Sequence, residues 1–231
     1  MTKPRIAILA SGSGTTAEAV IHATQNNQLD AEVVLVISNK KDAGVFNRVK
    51  ECNKTYTLSI KSLYISSKNY PASISENWQP GRQTNLEEVT ILDNLKKHSI
   101  DLVLLLGYMK LVGDKIVSYY GYRSDYRSPY LANMLNTHPG LLPATKGYYG
   151  KQVQTYVLEN RLQAGHCLFA VDVDYDGGPV ITEHLVEIKD NDTAQTLFER
   201  VQSSERSNLP YDINSFIQKQ RNNSKGDLNA E

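Results

Sequence analysis

The sequence predicts an α/β fold, a Rossmann-like, doubly wound and mostly parallel sheet with helices on both faces. The apolar run Arg5–Ala10 leads into a glycine loop and then into helix-forming residues. Two later runs, Ala31–Ser38 and Asp101–Gly107, are almost continuously apolar, which is typical of parallel strands that are covered on both faces. Candidate helices alternate with these strands, and a parallel sheet is the economical topology for such a chain.

The other elements follow from apolar spacing and helix-boundary residues. A helical face is indicated by the spacing of Leu86, Val89, Leu92 and Leu95. In chain order we predict a helix over Asp42–Cys52, a strand over Thr55–Ile60, a loop over 61–83, a helix over Thr84–His98, a helix over Gly150–Arg161, strands over His166–Val171 and Pro179–Ile188, and a helix over Thr193–Ser204. Residues 1–218 are treated as a single domain, and 219–231 as a polar, frayed C-terminal tail.

The composition is that of an ordinary globular protein with 40% hydrophobic residues. Lys plus Arg and Asp plus Glu both number 25, so there is no basic field to attract nucleic acid or an anionic membrane. No signal-peptide core and no run of 18 apolar residues is present, so we expect a cytoplasmic protein with no membrane partner. An anionic ligand must therefore be held by local groups.

Cysteine and histidine usage argues against a metal centre or a disulfide. Cys52 and Cys167 are the only two cysteines, and their spacing is not that of metal ligands. The five histidines are scattered singly along the chain. We therefore expect no metal cofactor.

The loop Ser11–Thr16 lies between the first strand and the first helix. Its backbone N–H groups and the N-terminus of the helix form a potential anion site. The loop lacks the full G-x-G-x-x-G pattern and the lysine of a P-loop, so a plain strand-to-helix turn is an equal alternative from the residues alone.

Asn136 and His138 are separated by one residue at the end of an apolar run, so in a strand their side chains leave on the same face. Pro139 ends the strand and leaves the pair at its exposed carboxyl end. An amide donor beside an imidazole can stabilise an oxyanion and move a proton, which acyl transfer to an amine requires. A structural role for His138 is the alternative.

The segment 118–130 is rich in tyrosine, with five tyrosines and two arginines. Aromatic and arginine side chains stack on planar ligands, so the segment could form a lid over a binding site. We favour the alternative, a packed surface excursion without chemistry.

Several motifs together resemble those of the phosphoribosylglycinamide formyltransferases, which belong to the folate-dependent formyltransferases. The resemblance extends from residue 5 to about 210 and rests on the order and spacing of five segments: Ser11–Thr16, Ser38–Ala43, Gly107–Lys110, Asn136–Pro143 and Asp174–Pro179. It implies formyl transfer from 10-formyltetrahydrofolate, as co-substrate, to the amine of phosphoribosylglycinamide in purine biosynthesis. Small-molecule substrates and a monomer or homodimer are implied as well.

The resemblance also implies roles for individual residues. His138 matches the general acid/base, Asn136 the amide that holds the oxyanion, and Asp176 the carboxylate that keeps the histidine protonated by raising its pKa. From the residues alone, Asp176 could equally form an Asp-Gly turn, and Glu205, which matches a substrate-binding carboxylate, could be an exposed residue at a helix end. Gly12, Gly14, Thr15 and Thr16 match the loop that holds the substrate phosphate.

The folate site implied by the resemblance lies after the strand that ends near Gly107. Backbone groups there would bind the edge of the pterin while apolar side chains pack on its face. The matching residues are Arg82, Met109, Lys110, Leu111, Val112, Asp174 and Tyr175.

Some residues depart from the family pattern and bear on the identity of the acceptor amine. Gly140 stands where Ser or Ala is usual, Phe169 where His is usual, and His166 in place of a small residue. Tyr148 and Tyr149 replace a less aromatic segment. A formyltransferase for another amine, a formyltetrahydrofolate hydrolase and a non-catalytic folate- or nucleotide-binding relative are the alternatives.

Overall fold

The structure is a computed structural model that describes residues 2–228. Its strands are β1 (Arg5–Leu9), β2 (Glu32–Ser38), β3 (Lys61–Tyr64), β4 (Leu102–Leu105), β5 (Met134–His138), β6 (Ala164–Ala170) and β7 (Val180–Val186). Its helices are α1 (Thr15–Gln25), α2 (Gly44–Tyr56), α3 (Asn85–Lys97), α4 (Asp114–Tyr120), α5 (Lys151–Glu159) and α6 (Ala194–Leu228), and Pro129–Leu131 form a 3₁₀ turn.

The described strands form one seven-stranded sheet in the order β3-β2-β1-β4-β5-β6-β7. The first five strands run parallel, whereas β6 pairs antiparallel with both β5 and β7. Apolar side chains of α1, α2 and α6 cover one face, and those of α3 and α4 cover the other. The predicted fold class, mostly parallel with helices on both faces, is confirmed.

The strand order places a crevice beside β1. The chain leaves β1 toward β2 on one side and later returns to pair β4 on the other. In open α/β sheets, ligands bind at the carboxyl ends of the strands where the order reverses in this way. Here those ends belong to β1, β4 and β5, and the catalytic candidates Asn136 and His138 lie at the end of β5.

The predicted strand over Thr55–Ile60 is wrong, because the third strand lies just after it, at Lys61–Tyr64. Thr55 lies in α2, which continues to Tyr56, and sheet pairing begins only at Lys61, within the predicted loop. The Asn53 side chain bonds both the N–H and the carbonyl of Ile60 and so ends the helical segment with a turn. The strand β3 was missed because it is a short edge strand with little buried apolar surface.

The predicted apolar face of α3 is only partly correct. Leu95 is fully buried, but Leu86 and Val89 are 48% and 38% exposed. In their place the helix buries Glu87 and Glu88. Glu87 binds the Lys110 ammonium at 2.5 Å and closes a capping box with Thr84, so its burial is compensated.

Helix α6 continues far beyond Ser204, where the predicted helix ends, and runs through residues assigned to a frayed tail. The Lys219 ammonium donates to the Tyr130 hydroxyl at 3.1 Å, and the Gln220 amide donates to the carbonyl of Ala132 at 2.9 Å. These contacts hold the helix against the 3₁₀ turn. The prediction of a frayed tail that begins at residue 219 is therefore wrong at Lys219 and Gln220, which are helical and anchored. Residues 229–231 lie outside the described residues.

The tyrosine-rich segment 118–130 packs against the body of the protein. Tyr120 is buried, Tyr122 packs on the core, and the Tyr130 ring lies 5.5 Å from that of Phe216 on α6. None of its described residues lines the two pockets described below. The geometry therefore favours the packed excursion over the lid. None of the helices within residues 2–228 is long and apolar enough to cross a membrane.

Candidate active site

Two adjoining pockets lie at the carboxyl ends of the parallel strands. The larger is lined by the Ser11–Thr16 loop, the end of β5, the turn at Tyr148–Gly150 and residues of α6. The smaller shares part of its lining with the larger. It has an apolar part, formed by Leu105, Leu111, Val112, Val117, Phe169 and Val171, and a polar part that includes Lys110, Asp172 and Asp174. Asn136, Asp176, Tyr108 and Tyr175 line both pockets. The junction of the two pockets is therefore where the predicted catalytic residues lie.

His138 is the last residue of β5 and is only 4% exposed. Its Nδ1 atom lies 3.9 Å from Oδ2 of Asp176, which is too long for a hydrogen bond but close enough for a strong charge interaction. Asp176 comes from the turn after β6, so the structure brings together the three predicted catalytic residues from two separate segments. The Asp176 carboxylate also accepts the backbone N–H of Gly147 at 3.3 Å.

Burial lowers the pKa of His138, and the nearby Asp176 carboxylate and a hydrogen bond to the Thr145 backbone only partly raise it again. The resemblance implied that Asp176 raises the pKa of His138 and keeps it protonated; the first effect is present, but the net pKa lies below its ordinary value. The carboxylate does act in the predicted direction, but desolvation of the imidazolium outweighs it. The resting imidazole is consequently neutral near pH 7.

The Ser11–Thr16 loop has the geometry of an anion site. Gly14 adopts a left-handed conformation with φ of 77° and is the N-cap of α1. A Cβ atom at Gly12 would meet nothing within 4 Å, so this backbone is open to the pocket. Among the described residues that line the larger pocket there is no Lys or Arg. An anionic group would therefore depend on backbone N–H groups and the helix N-terminus.

Ser11 ties this loop to two neighbouring strands. Its hydroxyl donates to Oδ1 of Asn39 at 2.5 Å and accepts the backbone N–H of Met109 at 2.8 Å. Asn39 follows β2 and Met109 follows β4, so one side chain connects three strand ends. From the sequence, Ser11 is only the first residue of the glycine loop, and this bridging role is not predicted.

Glu205 is buried inside α6, not exposed at a helix end, and its carboxylate accepts the hydroxyl of Thr16 at 3.0 Å. Burial raises the pKa of Glu205, while hydrogen bonds from Thr16 and Thr137 lower it. The Thr16 hydroxyl is thus engaged by Glu205. Any contact of Thr16 with an anion would come from its backbone.

The predicted folate residues separate into two groups. Leu111, Val112, Asp174 and Tyr175 line the smaller pocket, and Met109 lines the larger one. Lys110 also lines the smaller pocket, but its ammonium is held in the buried ion pair with Glu87. Arg82 is exposed and lines neither pocket, although its backbone pairs with Leu111.

Several residues of the larger pocket are not predicted from the sequence. Tyr108, Phe198 and Gln202 line it, and the turn residues Tyr148 and Tyr149 were noted only as departures from the family. The Tyr148 ring stacks on Tyr156 of α5 at 4.2 Å, which orients the turn. Tyr108 lies within the Gly107–Lys110 segment, which could have indicated it. The other four depend on how α5 and α6 pack, and no local pattern in the sequence records this.

A possible set of metal ligands lies outside the pockets, between α1 and α2. Donor atoms of Glu18, His22 and Cys52 come within 4.8 Å of one another. Two of the three already have partners, because Glu18 pairs with Arg48 and His22 Nδ1 lies 2.7 Å from the Tyr56 hydroxyl. This cluster has no connection to the chemistry of the junction.

Comparisons with known proteins agree with the geometry. The model of the formyl transferase family matches residues 4–213. The chain is 28% identical to a phosphoribosylglycinamide formyltransferase of Bacillus subtilis, covering 92% of this chain and 94% of that protein. It is 29% identical to a trifunctional purine biosynthetic protein of Chironomus tentans, covering 90% of this chain but only 13% of that much longer protein. A crystal structure of phosphoribosylglycinamide formyltransferase from Bacillus halodurans superposes with a TM-score of 0.74 at 31% identity, covering 93% of this chain and 96% of that one.

Proposed function

The chain belongs to the formyl transferase family, and we propose that it transfers a formyl group from 10-formyltetrahydrofolate to the amine of 5'-phosphoribosylglycinamide in purine biosynthesis. The observation that carries this proposal is the junction of two unlike pockets at Asn136 and Asp176. One pocket offers a backbone anion site, and the other offers apolar side chains beside hydrogen-bonding groups. A transfer between a phosphorylated acceptor and a flat heterocyclic donor needs such a pair.

The phosphorylated acceptor lies in the larger pocket. Its phosphate binds the backbone of Gly12, Gly14, Thr15 and Thr16 at the N-terminus of α1. The buried Glu205 carboxylate, which accepts the Thr16 hydroxyl beside this loop, binds the polar part of the acceptor. The pterin lies in the smaller pocket, against Leu111, Val112 and Tyr175.

At the junction, the acceptor nitrogen attacks the formyl carbon and forms a tetrahedral intermediate. The Asn136 amide donates to the developing oxyanion. Neutral His138 takes the proton that the amine loses and returns it to N10 of the folate as the carbon–N10 bond breaks. Asp176 stabilises the transient imidazolium across the 3.9 Å gap. The products are the formamide and tetrahydrofolate, without a covalent enzyme intermediate.

The experiment is a donor-consumption assay with the purified protein, 10-formyltetrahydrofolate and one acceptor at a time. We expect rapid conversion with phosphoribosylglycinamide and only background with water or with unphosphorylated glycinamide riboside. The His138→Ala variant is the matched control for uncatalysed loss of the formyl group. Consumption with water alone would indicate a hydrolase, and binding of the folate without turnover would indicate a non-catalytic relative; either result contradicts the proposal.

A formyltransferase for another amine is the second candidate. The supporting observation is the aromatic character of the larger pocket, where Tyr148, Tyr149, Tyr175 and Phe198 accompany the anion loop. Aromatic faces favour an acceptor that carries a planar group. A panel of phosphorylated amines with and without such a group, compared by kcat/KM, separates the two candidates.

For either acceptor amine, the proposed enzyme acts on small-molecule substrates, is located in the cytoplasm and is a monomer or a homodimer.

A further inference from the structure

A threonine lies directly behind the catalytic histidine candidate. Thr145 is fully buried, and its Oγ1 atom lies 2.9 Å from Nε2 of His138. The same hydroxyl donates to the carbonyl of Leu141 at 3.0 Å. With its proton directed to Leu141, the hydroxyl oxygen is free to accept the Nε2–H of the imidazole. The other ring nitrogen, Nδ1, then carries the lone pair and faces Asp176.

Gly140 provides the space that lets the hydroxyl reach the ring. A Cβ atom at this position would come within 2.3 Å of Thr145 Oγ1, 2.9 Å of Thr145 Cβ and 2.7 Å of Val153 Cγ1. Such distances are below van der Waals contact, so any larger residue would displace Thr145 from His138. Glycine is therefore needed at position 140 because there is no room for a Cβ atom.

The turn that carries Thr145 is itself anchored. The backbone N–H of Thr145 donates to Leu141 at 3.1 Å, and the backbone N–H of Tyr148 donates to the carbonyl of Thr145 at 3.3 Å. From α5, the buried Gln154 side chain donates to the carbonyl of Pro139 at 2.5 Å. The hydroxyl of Thr145 is therefore held in a fixed position relative to β5.

We propose that Thr145 is a positioning residue for formyl transfer: its hydroxyl accepts the Nε2–H of His138 and so presents Nδ1 to the junction as the nitrogen that gains and loses the proton. This inference rests on the proposed function for its kinetic consequence, but the hydrogen bond itself does not depend on the substrate. Without this contact, the ring could rotate or change tautomer, and Nδ1 would no longer be a reliable base.

The groups that face the imidazole come from three elements. Asp176 belongs to the turn after β6, Thr145 to the turn after β5, and Cys167 lies opposite His138 on β6. Burial raises the pKa of the Cys167 thiol to about 12, so this group stays neutral. An acceptor on Nε2–H favours the charged imidazole. Removal of the Thr145 hydroxyl alone, which leaves the backbone of Thr145 in place, should therefore lower the pKa of His138.

The test compares Thr145→Val with Thr145→Ser. We expect Val to lower kcat by about 10- to 100-fold with KM nearly unchanged, and to move the acid midpoint of the kcat–pH profile to lower pH. Ser keeps the hydroxyl and should restore kcat to within a few-fold. Thr24→Val is the matched control, because Thr24 is buried away from the junction. Its hydroxyl also donates to a carbonyl, that of Ile21 at 2.7 Å, and accepts a side-chain N–H, that of Gln25 at 3.0 Å.

Nitrogen-15 NMR of the His138 ring in the wild-type protein supplies a readout that needs neither substrate nor variant. We expect the tautomer protonated at Nε2. Observation of the Nδ1-protonated tautomer, or equal kcat and pH midpoints in Thr145→Val and wild type, would overturn the inference. If the ring shows the expected tautomer while every acceptor amine fails in the consumption assay, the proposed function is wrong and the contact stands.

Discussion

His138 and His166 lie on the neighbouring strands β5 and β6 and are almost equally buried, with 4% and 3% exposure. Burial lowers the pKa of both. They differ in what faces the ring. His138 faces the Asp176 carboxylate at the junction of two pockets, whereas His166 bonds Ser204 at 2.9 Å and stacks on His184 at 4.9 Å. His166 lines neither pocket.

This difference teaches that burial alone does not indicate a catalytic histidine. A carboxylate partly restores the basicity of His138, while His184 lowers the pKa of His166 further, to about 4. A base that is useful at neutral pH needs a pKa near the working pH and access to the reacting atoms. Only His138 has both the compensating charge and an open pocket in front of it.

The largest expected effect concerns turnover. His138→Ala or Asp176→Asn should lower kcat by about a hundredfold or more, because each removes a proton-transfer group or the charge that stabilises it. His166→Ala should change kcat by less than about threefold in protein that remains folded. Steady-state kinetics of the three variants at saturating folate provide the measurement. Comparable losses in the His138 and His166 variants would remove the distinction between the two histidines.

The next prediction concerns the stability of the β6–β7–α6 layer against acid. The pKa of His166 is about 4 in the folded state and near 6.5 when unfolded, so only the unfolded chain takes up this proton as the pH falls through that window. Stability contributed by neutral His166 is therefore present above pH 6.5 and is lost toward pH 4, by about 2–3 kcal/mol in total.

Urea unfolding of wild type and His166→Gln between pH 7.5 and 4.5 measures this contribution. The variant should lose less free energy of unfolding on acidification than the wild type. The pKa of His138 is lowered as well, so protonation of this residue also reduces the free energy of unfolding at low pH. Both proteins contain His138, so its contribution cancels when their pH dependences are compared. Parallel pH dependences of the two proteins would mean that His166 stays accessible to protons in the folded state.

The sequence predicts those features that depend on local pattern. The continuous apolar runs locate β1, β2 and β4, and the Asn-x-His-Pro motif places the Asn136 and His138 side chains at the end of β5. It does not predict β3, whose few half-buried residues give no apolar signal. It also ends α6 too early, because Pro210 and the polar residues after it are tolerated only through contacts with distant segments.

At the candidate site, the sequence predicts residues that the fold brings together, but it does not predict their electrostatic state. Asp176 is close enough to His138 to act on it, as the resemblance implied, but the net shift of the pKa depends on desolvation. Thr145 is only seven positions after His138, yet its contact with the ring depends on the turn between them and on the absence of a side chain at Gly140. The distances from His138 to Asp176 and to Thr145 are set by tertiary packing, which a local sequence pattern does not report.

A third prediction extends the comparison to the anion loop. Gly12→Val adds a side chain into open space at the pocket and should raise KM for a phosphorylated acceptor by about tenfold, with little change for the folate. Gly14 is a poorer probe, because a Cβ atom there would lie 2.5 Å from Val45 and disturb α2. Two-substrate kinetics decide the point, and equal changes in both KM values would show that the loop is only a turn.

The smallest expected effect concerns the tyrosine-rich segment, which resembles the pocket in composition but not in surroundings. The Tyr126 ring packs edge-on against Tyr122 at 5.9 Å and lies under the Arg123 guanidinium at 4.7 Å. Tyr126→Ala should therefore cost about 1 kcal/mol and lower Tm by about 2–4 °C, with both KM values unchanged. Tyr149→Ala is the matched variant, because its ring is 49% exposed at the larger pocket and should affect KM for the acceptor more than Tm. A thermal melt and a kinetic series on both variants make the comparison. If Tyr126→Ala raised a KM and left Tm unchanged, the segment would act as a lid and the packed excursion would be wrong.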